Sequence, residues 1–552
     1  MLKDQPGFES RWQGRSVVVS RDGIVAAESP LAAQTGATIL AQGGHAVDAA
    51  VATNAVMGVV APHSNGIGGD LFAMIFEAPT GALHGLNASG WAPEGLSIEW
   101  LKKRGVHAIP GKGIYSVTLP GVVDGWEKLL NRFGRMRFAQ VLAPAIRLAA
   151  EGFPVTEWSA HRWTADRNSL DTNALRTFLP NGIAPSFGEI FKNADLAKSL
   201  EQLATDGRGA FYEGAIARRI IETSERYGGA FTFADLREFS SEWVQPVPTV
   251  YRGWTVYELP PNCAGIAALA MLNIMENFLL ETLGHNSADS LHIMIEAKKL
   301  AYADMLQYVG DPHSKDIPLA EILSKSYARK RSQLIDMKMS RDAVEAGQRI
   351  AAGNDTTYLS VVDREGNMVS LIQSNFVMFG SGIVPEACGF VLQNRGALFN
   401  MDASHPNALA GRKRPLHTII PAFMSKGDLR IAFGIQGGWN QAQAHAQFVS
   451  NIADHGMNIQ AALEASRFTK LTFEGCDVQM EARVSPEERD DLSKRGHRIE
   501  VLGDYSDLMG GGQAVLRDFT TRINYGASDP RKDGSAIPEP PINAANMGSG
   551  SV

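Results

Sequence analysis

The stretch GNDTTYLSVVDREGNMVSLIQSNF, residues 353–376, decides how the rest of the chain is interpreted. Apolar and polar residues alternate on both sides of the turn letters REGN, which predicts a β-hairpin. The pair Thr356-Thr357 stands at the mouth of this hairpin, directly after the turn-prone pair Asn354-Asp355. Threonine is β-branched and common in strands, so the simpler interpretation of this pair is an ordinary strand start.

Thr356 has a second interpretation, as a nucleophile made by cutting the chain after Asp355. A threonine hydroxyl needs an adjacent base. The α-amine of an N-terminal threonine supplies one, with a reference pKa of about 7.7–8.0. Acyl transfer also needs oxyanion donors, and GIQGGWN (434–440) offers Gly437 and Gly438 at a predicted strand-to-helix junction. A plain turn is the alternative interpretation of these two glycines.

Composition excludes several functional classes. The 552 residues carry a net charge of -7, which gives no basic footprint for nucleic acid. The most apolar stretch is too short to span a membrane. The first fifteen residues lack the apolar segment of a signal peptide, so we expect a cytoplasmic protein. His285 and His292 lie near a helix without a matching acid or third ligand, so we expect no metal site. The letters GIGGD are not the GxGxxG motif and follow no clear strand, so we expect no cofactor.

The order of predicted elements mixes strands and helices along the chain. Residues 16–28 are predicted to form strands, and residues 30–61 two Ala-rich helices joined at Gly43-Gly44. Residues 289–312 are predicted to form a long amphipathic helix, and residues 428–434 a further strand. The tail from Gly534 is rich in Gly and Pro and is predicted to be disordered toward its end.

Nine blocks carry a family resemblance: GGHAVDAAVA (43–52), NGIGGDLF (65–72), SVTLPGVVDGW (116–126), PPNCAGIAALAMLNI (260–274), DTTYLSVVD (355–363), FGSGIV (379–384), KRPLHTIIP (413–421), GGWNQAQ (437–443) and YGASDPR (525–531). In this order they resemble the γ-glutamyltransferase (glutathione hydrolase) family of N-terminal-nucleophile hydrolases. The resemblance implies an α/β (α+β) fold, a four-layer αββα sandwich. It also implies a proenzyme that cuts itself into a large chain, 1–355, and a small chain, 356–552. The two would form one entwined domain as a heterodimer, and a dimer of heterodimers is left open.

The resemblance also assigns roles to residues of the predicted site. It implies that Asp355 and Thr356 flank the bond that is cut and that Thr356 is the nucleophile. Ser374 falls on the family's hydroxyl residue that supports the new α-amine. Gly437 and Gly438 fall on the oxyanion-hole glycines.

The positions that bind a γ-glutamyl donor in glutathione-cleaving members differ here. This chain has Ile98 at the position of the family's donor-binding arginine. It has Leu398 at the position of the acid and Arg395 at that of the preceding glutamine. The family's serine pair falls on His417-Thr418, and its asparagine on Phe376, with Asn375 one residue earlier. Arg395 could hold a substrate carboxylate, since its planar fork suits one, or form a structural pair. His417 could donate a hydrogen bond to the substrate, or it could be a core histidine whose ring nitrogens are hydrogen-bonded within the protein.

These observations predict an amidohydrolase that forms a Thr356 acyl-enzyme and cleaves a γ-glutamyl-like or other small acidic acyl amide. Hydrolysis is favoured over transpeptidation because both the acceptor-binding and the donor-binding positions are rebuilt. A glutaryl-cephalosporin-acylase-like or oxamate-type amidohydrolase is the alternative. A second alternative is an unprocessed, non-enzymatic binding relative. The expected partners are a small-molecule amide and the two chains of one precursor, with no nucleic acid and no membrane.

Overall fold

Two seven-stranded antiparallel sheets form the centre of the protein, as seen in a computed structural model. The structure describes residues 11, 13–163, 167–342 and 355–541. Asn354 of the predicted turn and the last part of the tail, 542–552, lie outside the described residues.

The strands of the described residues are β1 (Val18–Ser20), β2 (Ile24–Ala27), β3 (Asp70–Glu77), β4 (Ala82–Ala88), β5 (Phe153–Pro154), β6 (Ile190–Phe191), β7 (Glu242–Val244), β8 (Val247–Tyr251), β9 (Trp254–Glu258), β10 (Asp355–Val362), β11 (Met368–Phe376), β12 (Ala422–Lys426), β13 (Leu429–Ile435), β14 (Phe468–Thr469), β15 (Asp477–Glu481), β16 (Arg498–Leu502), β17 (Gly512–Asp518), β18 (Ile523–Ser528) and β19 (Ser535–Pro538).

The helices of the described residues are α1 (Pro30–Ala41), α2 (Ala46–Val60), α3 (Ile98–Lys102), α4 (Val122–Phe133), α5 (Phe138–Glu151), α6 (Glu157–Arg162), α7 (Thr172–Phe178), α8 (Ala194–Asp206), α9 (Arg208–Tyr212), α10 (Ala215–Arg226), α11 (Phe233–Arg237), α12 (Ile266–Met275), α13 (Leu280–Leu283), α14 (Ala288–Tyr308), α15 (Leu319–Ile322), α16 (Lys325–Ser332), α17 (Gln441–Ala453), α18 (Ile459–Glu464) and α19 (Pro486–Lys494).

The sheets and helices stack in four layers. One sheet has the order β19-β2-β10-β11-β3-β4-β7, and the other has the order β1-β18-β17-β13-β12-β9-β8. Strands β10 and β11 pack across the interface against β13 and β17. Helices α1, α2 and α4 cover the first sheet, and α12, α17 and α18 cover the second. The predicted αββα sandwich is confirmed.

The predicted hairpin is β10 and β11, but both of its faces are buried along their whole length. Alternation therefore does not mark a solvent face here, because one face meets α2 and the other meets the second sheet. Polar residues on the inner face are bonded across the interface. Tyr358 Oη lies 2.7 Å from Ser370 Oγ, which is 3.3 Å from the carbonyl oxygen of Phe433.

Most predicted elements outside the hairpin are confirmed, with one correction. Strands β1, β2 and β13 and helices α1 and α2 fall where they were predicted. Helix α14 is long, as expected, but it is buried on nearly every side rather than amphipathic, because it packs against both α12 and α19. The Gly/Pro-rich tail contains β19, which pairs with β2 and completes the edge of a central sheet. Among the described residues, no helix is both long and apolar enough to cross a membrane.

Candidate active site

A bulge at the end of the hairpin shapes the surroundings of Thr356. Asp355 pairs with Phe376 and Thr357 pairs with Gln373, so Thr356 alone faces Ser374 and Asn375. Two residues opposite one is the pattern of a β-bulge, which bends the strand and re-aims its side chains. Phe376 has a φ of 81°, an unusual value for a bulky residue that marks local strain.

The Ser374 hydroxyl connects Thr356 to the peptide bond before it. Thr356 Oγ1 donates a hydrogen bond to Ser374 Oγ over 3.0 Å. Ser374 Oγ in turn donates to the carbonyl oxygen of Asp355 over 2.7 Å. The backbone N–H of Phe376 donates to the same Ser374 oxygen over 2.8 Å, which holds it in place. The hydroxyl of Thr356, the hydroxyl of Ser374 and the carbonyl group of Asp355 therefore form one continuous relay.

Asn375 lies buried beside this relay, next to the turn NGIGGD. Its backbone N–H donates to the carbonyl of Ser64 over 3.0 Å. Neither polar atom of its side-chain amide has a hydrogen-bond partner among the described residues. A Cβ atom on Gly69 would lie 2.6 Å from Asn375 Oδ1, so only glycine fits there. The unpartnered amide leaves Asn375 able to bond a ligand.

Gly437 and Gly438 lie between β13 and α17, at a strand-to-helix junction as predicted. Their φ values are 136° and 56°, and the first is a region that residues with a Cβ rarely adopt. The ring of Tyr358 packs so closely on Gly434 that a Cβ there would lie 2.4 Å from it. Gly434, three residues before Gly437, therefore lies against Tyr358, two residues after Thr356.

Arg395 is fully buried, and part of its guanidinium group has no hydrogen-bond partner among the described residues. Its Nη1 donates to Thr418 Oγ1 over 2.7 Å, and its Cζ lies 4.4 Å from the centre of the Phe376 ring. Its Nε and Nη2 have no hydrogen-bond partner within the part of the chain that the structure describes. Burial lowers the pKa of Arg395 to about 9, and the nearby Asp70 opposes that shift. A buried cation with free N–H groups is suited to an anion.

His417 is committed to contacts within the protein. Its Nε2 lies 3.0 Å from Asp70 Oδ2, and its Nδ1 lies 3.4 Å from the backbone nitrogen of Ile419. Burial, followed by the charge of Arg395, holds the pKa of His417 well below its usual range. Burial raises the pKa of Asp70 to about 7, and Arg395 opposes this. These contacts favour the core-histidine alternative, in which His417 orients Asp70 beneath Arg395.

Glu28 and Lys532 are charged residues near Asp355 that nothing in their local sequence identifies as part of a site. Glu28 Oε1 accepts from the backbone N–H of Tyr358 over 2.9 Å. Burial raises the pKa of Glu28 to about 8, and Lys532 is the main group that opposes the shift. Burial likewise lowers the pKa of Lys532 to about 8. Lys532 Nζ also sits 3.4 Å from the centre of the Trp158 ring. Only the block YGASDPR, which ends directly before Lys532, pointed to this region.

His63 is a second residue that sequence reasoning missed. It is buried between the rings of Trp158 and Trp163, at 5.6 and 5.8 Å between centroids. Both of its ring nitrogens are unpartnered among the described residues. Burial lowers the pKa of His63 to about 3, with Arg162 and Lys532 adding to the shift. His63 is therefore a neutral imidazole at neutral pH.

One cluster corrects the reasoning about metal ligands. His292 does have an acid and a third ligand nearby in space, since Glu296 and His497 lie within 4.8 Å of it. His292 Nε2 lies 2.9 Å from the carbonyl of Asp336, and its Nδ1 lies 2.8 Å from His497 Nε2. Glu296 is bonded to Lys299 over 2.6 Å. The two histidines are bonded to each other, and the Glu296 carboxylate separately has a cationic partner in Lys299.

Comparison with known proteins places this chain in a family. The model of the family described as Gamma-glutamyltranspeptidase matches residues 32–539. The Glutathione hydrolase-like YwrD proenzyme of Bacillus subtilis strain 168 is 38% identical over 529 residues, 94% of this chain and 99% of the relative. The Oxamate amidohydrolase proenzyme of Klebsiella pneumoniae subsp. pneumoniae is 33% identical over 530 residues, 94% of this chain and 98% of the relative.

A solved structure is also similar to this chain over nearly its whole length. The crystal structure of cephalosporin acylase from Bacillus halodurans superimposes with a TM-score of 0.89 at 40% identity, covering 97% of this chain and 98% of the other. The sequence resemblance is therefore confirmed over nearly the whole length, and the protein belongs to the gamma-glutamyltranspeptidase family.

Proposed function

We propose that this protein is an autoprocessing amidohydrolase with Thr356 as its nucleophile. The observation that carries the proposal is the Ser374 hydroxyl, which bonds both Thr356 Oγ1 and the carbonyl oxygen of Asp355. A nucleophile and an activated carbonyl are thereby held by one group. Relatives named as proenzymes of a glutathione hydrolase-like protein and an oxamate amidohydrolase support the same chemistry.

Self-cleavage follows from this relay. Thr356 Oγ1 attacks the Asp355 carbonyl carbon while its proton moves to Ser374 Oγ and the Ser374 proton moves to the carbonyl oxygen, so little charge separates. The carbon–nitrogen bond then breaks, the nitrogen takes a proton and becomes the α-amine of Thr356, and an ester remains. Water adds to the ester and releases the Asp355 carboxylate and a free Thr356 hydroxyl. The products are a chain of residues 1–355 and a chain of residues 356–552.

The new α-amine is the base for reaction with an external amide. It takes the Thr356 proton as the hydroxyl attacks, and later gives it to the departing amine. Backbone N–H groups at Gly437 and Gly438 stabilise the oxyanion, and the start of α17 adds a favourable dipole. Water then attacks the acyl-enzyme and releases the acid. Hydrolysis is favoured over transfer to another amine because we expect the acceptor site to be rebuilt along with the donor site.

An acidic acyl group fits the charges beside this relay. Arg395 offers two buried nitrogens, Nε and Nη2, without partners among the described residues, so a substrate carboxylate would satisfy their N–H groups. The position of the family's ammonium-binding acid is Leu398, which is 2% exposed within the apolar core. An ammonium group there would have no counter-charge. A carboxylate-bearing acyl group without an α-ammonium is therefore favoured over a γ-glutamyl group.

The two chains would stay together after the cut. Strands β2, β3, β4 and β7 precede Thr356, whereas β10, β11 and β19 come from Asp355 onward, and all seven share one sheet. Strand β10 pairs directly with β2 through Leu359 opposite Ala27. A heterodimer is the expected product, because separating the chains would break a central sheet.

Intact mass under denaturing conditions tests the proposal. The wild-type protein should give two species, with the second starting at Thr356, and Thr356→Ala should remain one full-length species. Thr357→Ala is the matched control: its hydroxyl is also buried but has no hydrogen-bond partner among the described residues, so this variant should still be cut. A cut Thr356→Ala chain would refute the nucleophile assignment. An uncut wild-type chain would favour the non-enzymatic binding alternative.

A further inference from the structure

The side chain of Asp355 is held by an arginine from a distant helix. Asp355 Oδ1 accepts from Arg162 Nη2 over 2.9 Å, and Asp355 is only 4% exposed. Arg162 is the last residue of α6, and its Nη1 lies 3.4 Å from Asp507 Oδ2. The first turn of α6 is fixed in turn by Asp533, which accepts from the backbone of Trp158 over 3.2 Å. Segments far apart in sequence therefore converge on the residue before Thr356.

The charges around this ion pair favour a carboxylate at position 355. Although burial opposes it, the carboxylates of Asp355 and then Asp507 raise the pKa of Arg162. Lys532 is a second buried cation whose charge interacts with Asp355. Such a carboxylate is costly to bury alone but is stabilised here by a charge-assisted hydrogen bond. A neutral side chain at residue 355 would be poorly accepted, because Arg162 would then have only the partly exposed Asp507 as a charged partner.

We propose that Arg162 is a positioning residue for self-cleavage and that its site selects a carboxylate at residue 355. The inference rests on the proposed function, since it concerns the same bond. Residue 355 is held at two points, its carbonyl oxygen by Ser374 and its carboxylate by Arg162. Two anchors fix the rotation of the carbonyl group, so that its carbon stays in line with Thr356 Oγ1. Restricting a reacting group in this way accounts for large rate effects without direct participation in bond making.

The test follows self-cleavage of the full chain over time during cell-free synthesis, with Thr356→Ala as the uncut reference. Arg162→Ala and Asp355→Asn should each slow the appearance of the two chains about tenfold or more, because each removes one half of a partly buried charge pair. Arg162→Lys should restore part of the rate, since the contact uses one N–H. In an Asp355→Ala chain, adding Arg162→Ala should change the rate little, because the partner is already gone.

Matched controls separate positioning from folding. Arg176→Ala removes an arginine that is 57% exposed on its side chain and lies 3.8 Å from Asp195, so it should be cut at the wild-type rate. Melting temperatures are measured for every variant in a chain that also carries Thr356→Ala, so that all of the chains compared are uncut. Asp355→Asn keeps the shape of the side chain, and a wild-type cleavage rate in this variant would overturn the inference. So would fully additive effects of the two alanine substitutions. A wild-type chain that is never cut would refute the proposed function itself.

Discussion

The hydroxyl oxygen of Ser374 lies 2.7 Å from the carbonyl oxygen of Asp355, so that the group expected to support catalysis also polarises the peptide bond that we propose is cut. Ser374→Ala should slow self-cleavage by about 10²–10³, the usual loss when one oxyanion donor is removed. The measurement is the time course of chain cleavage on a denaturing gel. Ser374→Thr keeps a hydroxyl and should retain much of the rate, whereas equal losses in both variants would contradict the hydrogen-bond role.

Gly437→Ala should lower kcat, because a φ of 136° is not accessible to alanine without strain of about 1–3 kcal/mol. The backbone would shift away from the geometry that the oxyanion requires. Gly427→Ala serves as the control, since Gly427 also has a positive φ, 53°, but lies in the turn between β12 and β13. Both variants should melt earlier, but only Gly437→Ala should lose turnover. Equal kcat values in the two variants would argue against an oxyanion role.

Arg395→Ala should raise the KM for an acyl amide that carries a carboxylate by about 10–100-fold, the range expected for a lost charged hydrogen bond. The KM for a neutral acyl amide of the same length should change little. Thr418→Val removes only the hydroxyl that orients Arg395 and should give a smaller effect in the same direction. If both acyl amides lost affinity equally, Arg395 would have a structural role instead.

Glu28→Gln should change how stability depends on pH. Burial, opposed by Lys532, raises the pKa of Glu28 from 4.5 to about 8 in the folded chain. Between pH 4.5 and 8 the folded chain keeps a proton that the unfolded chain has lost, so the contribution of Glu28 to stability falls as pH rises. Glutamine does not ionise, and the variant should therefore gain stability relative to its parent across this window.

The Glu28 comparison is made by urea unfolding of chains that also carry Thr356→Ala, so that none is cut. Between pH 5 and pH 8, the free energy of unfolding of the variant relative to that of its parent should increase by on the order of 1 kcal/mol or more. Each pKa unit corresponds to about 1.4 kcal/mol. A difference between variant and parent that stays constant with pH would show that Glu28 keeps its charge in the folded protein.

The sequence predicted the parts of the site that lie in local motifs. The hairpin from β10 to β11 followed from alternation and a turn, and Thr356 and Ser374 lie at one end of it. Gly437 and Gly438 were visible as a glycine pair between a strand and a helix. Such features depend on backbone preferences within a few residues, which is the information that a sequence carries most directly.

Only the tertiary structure decided which charges surround the Asp355–Thr356 bond. Arg162, Glu28 and Lys532 are each separated by more than a hundred residues, and nothing in their local sequence distinguishes them from surface charges. The sequence determined the family through nine motifs in order, and that resemblance implied the four-layer fold and predicted Thr356 as the nucleophile. The partners of that nucleophile depend on burial, which turns an ordinary arginine or glutamate into a group with a shifted pKa and one specific contact.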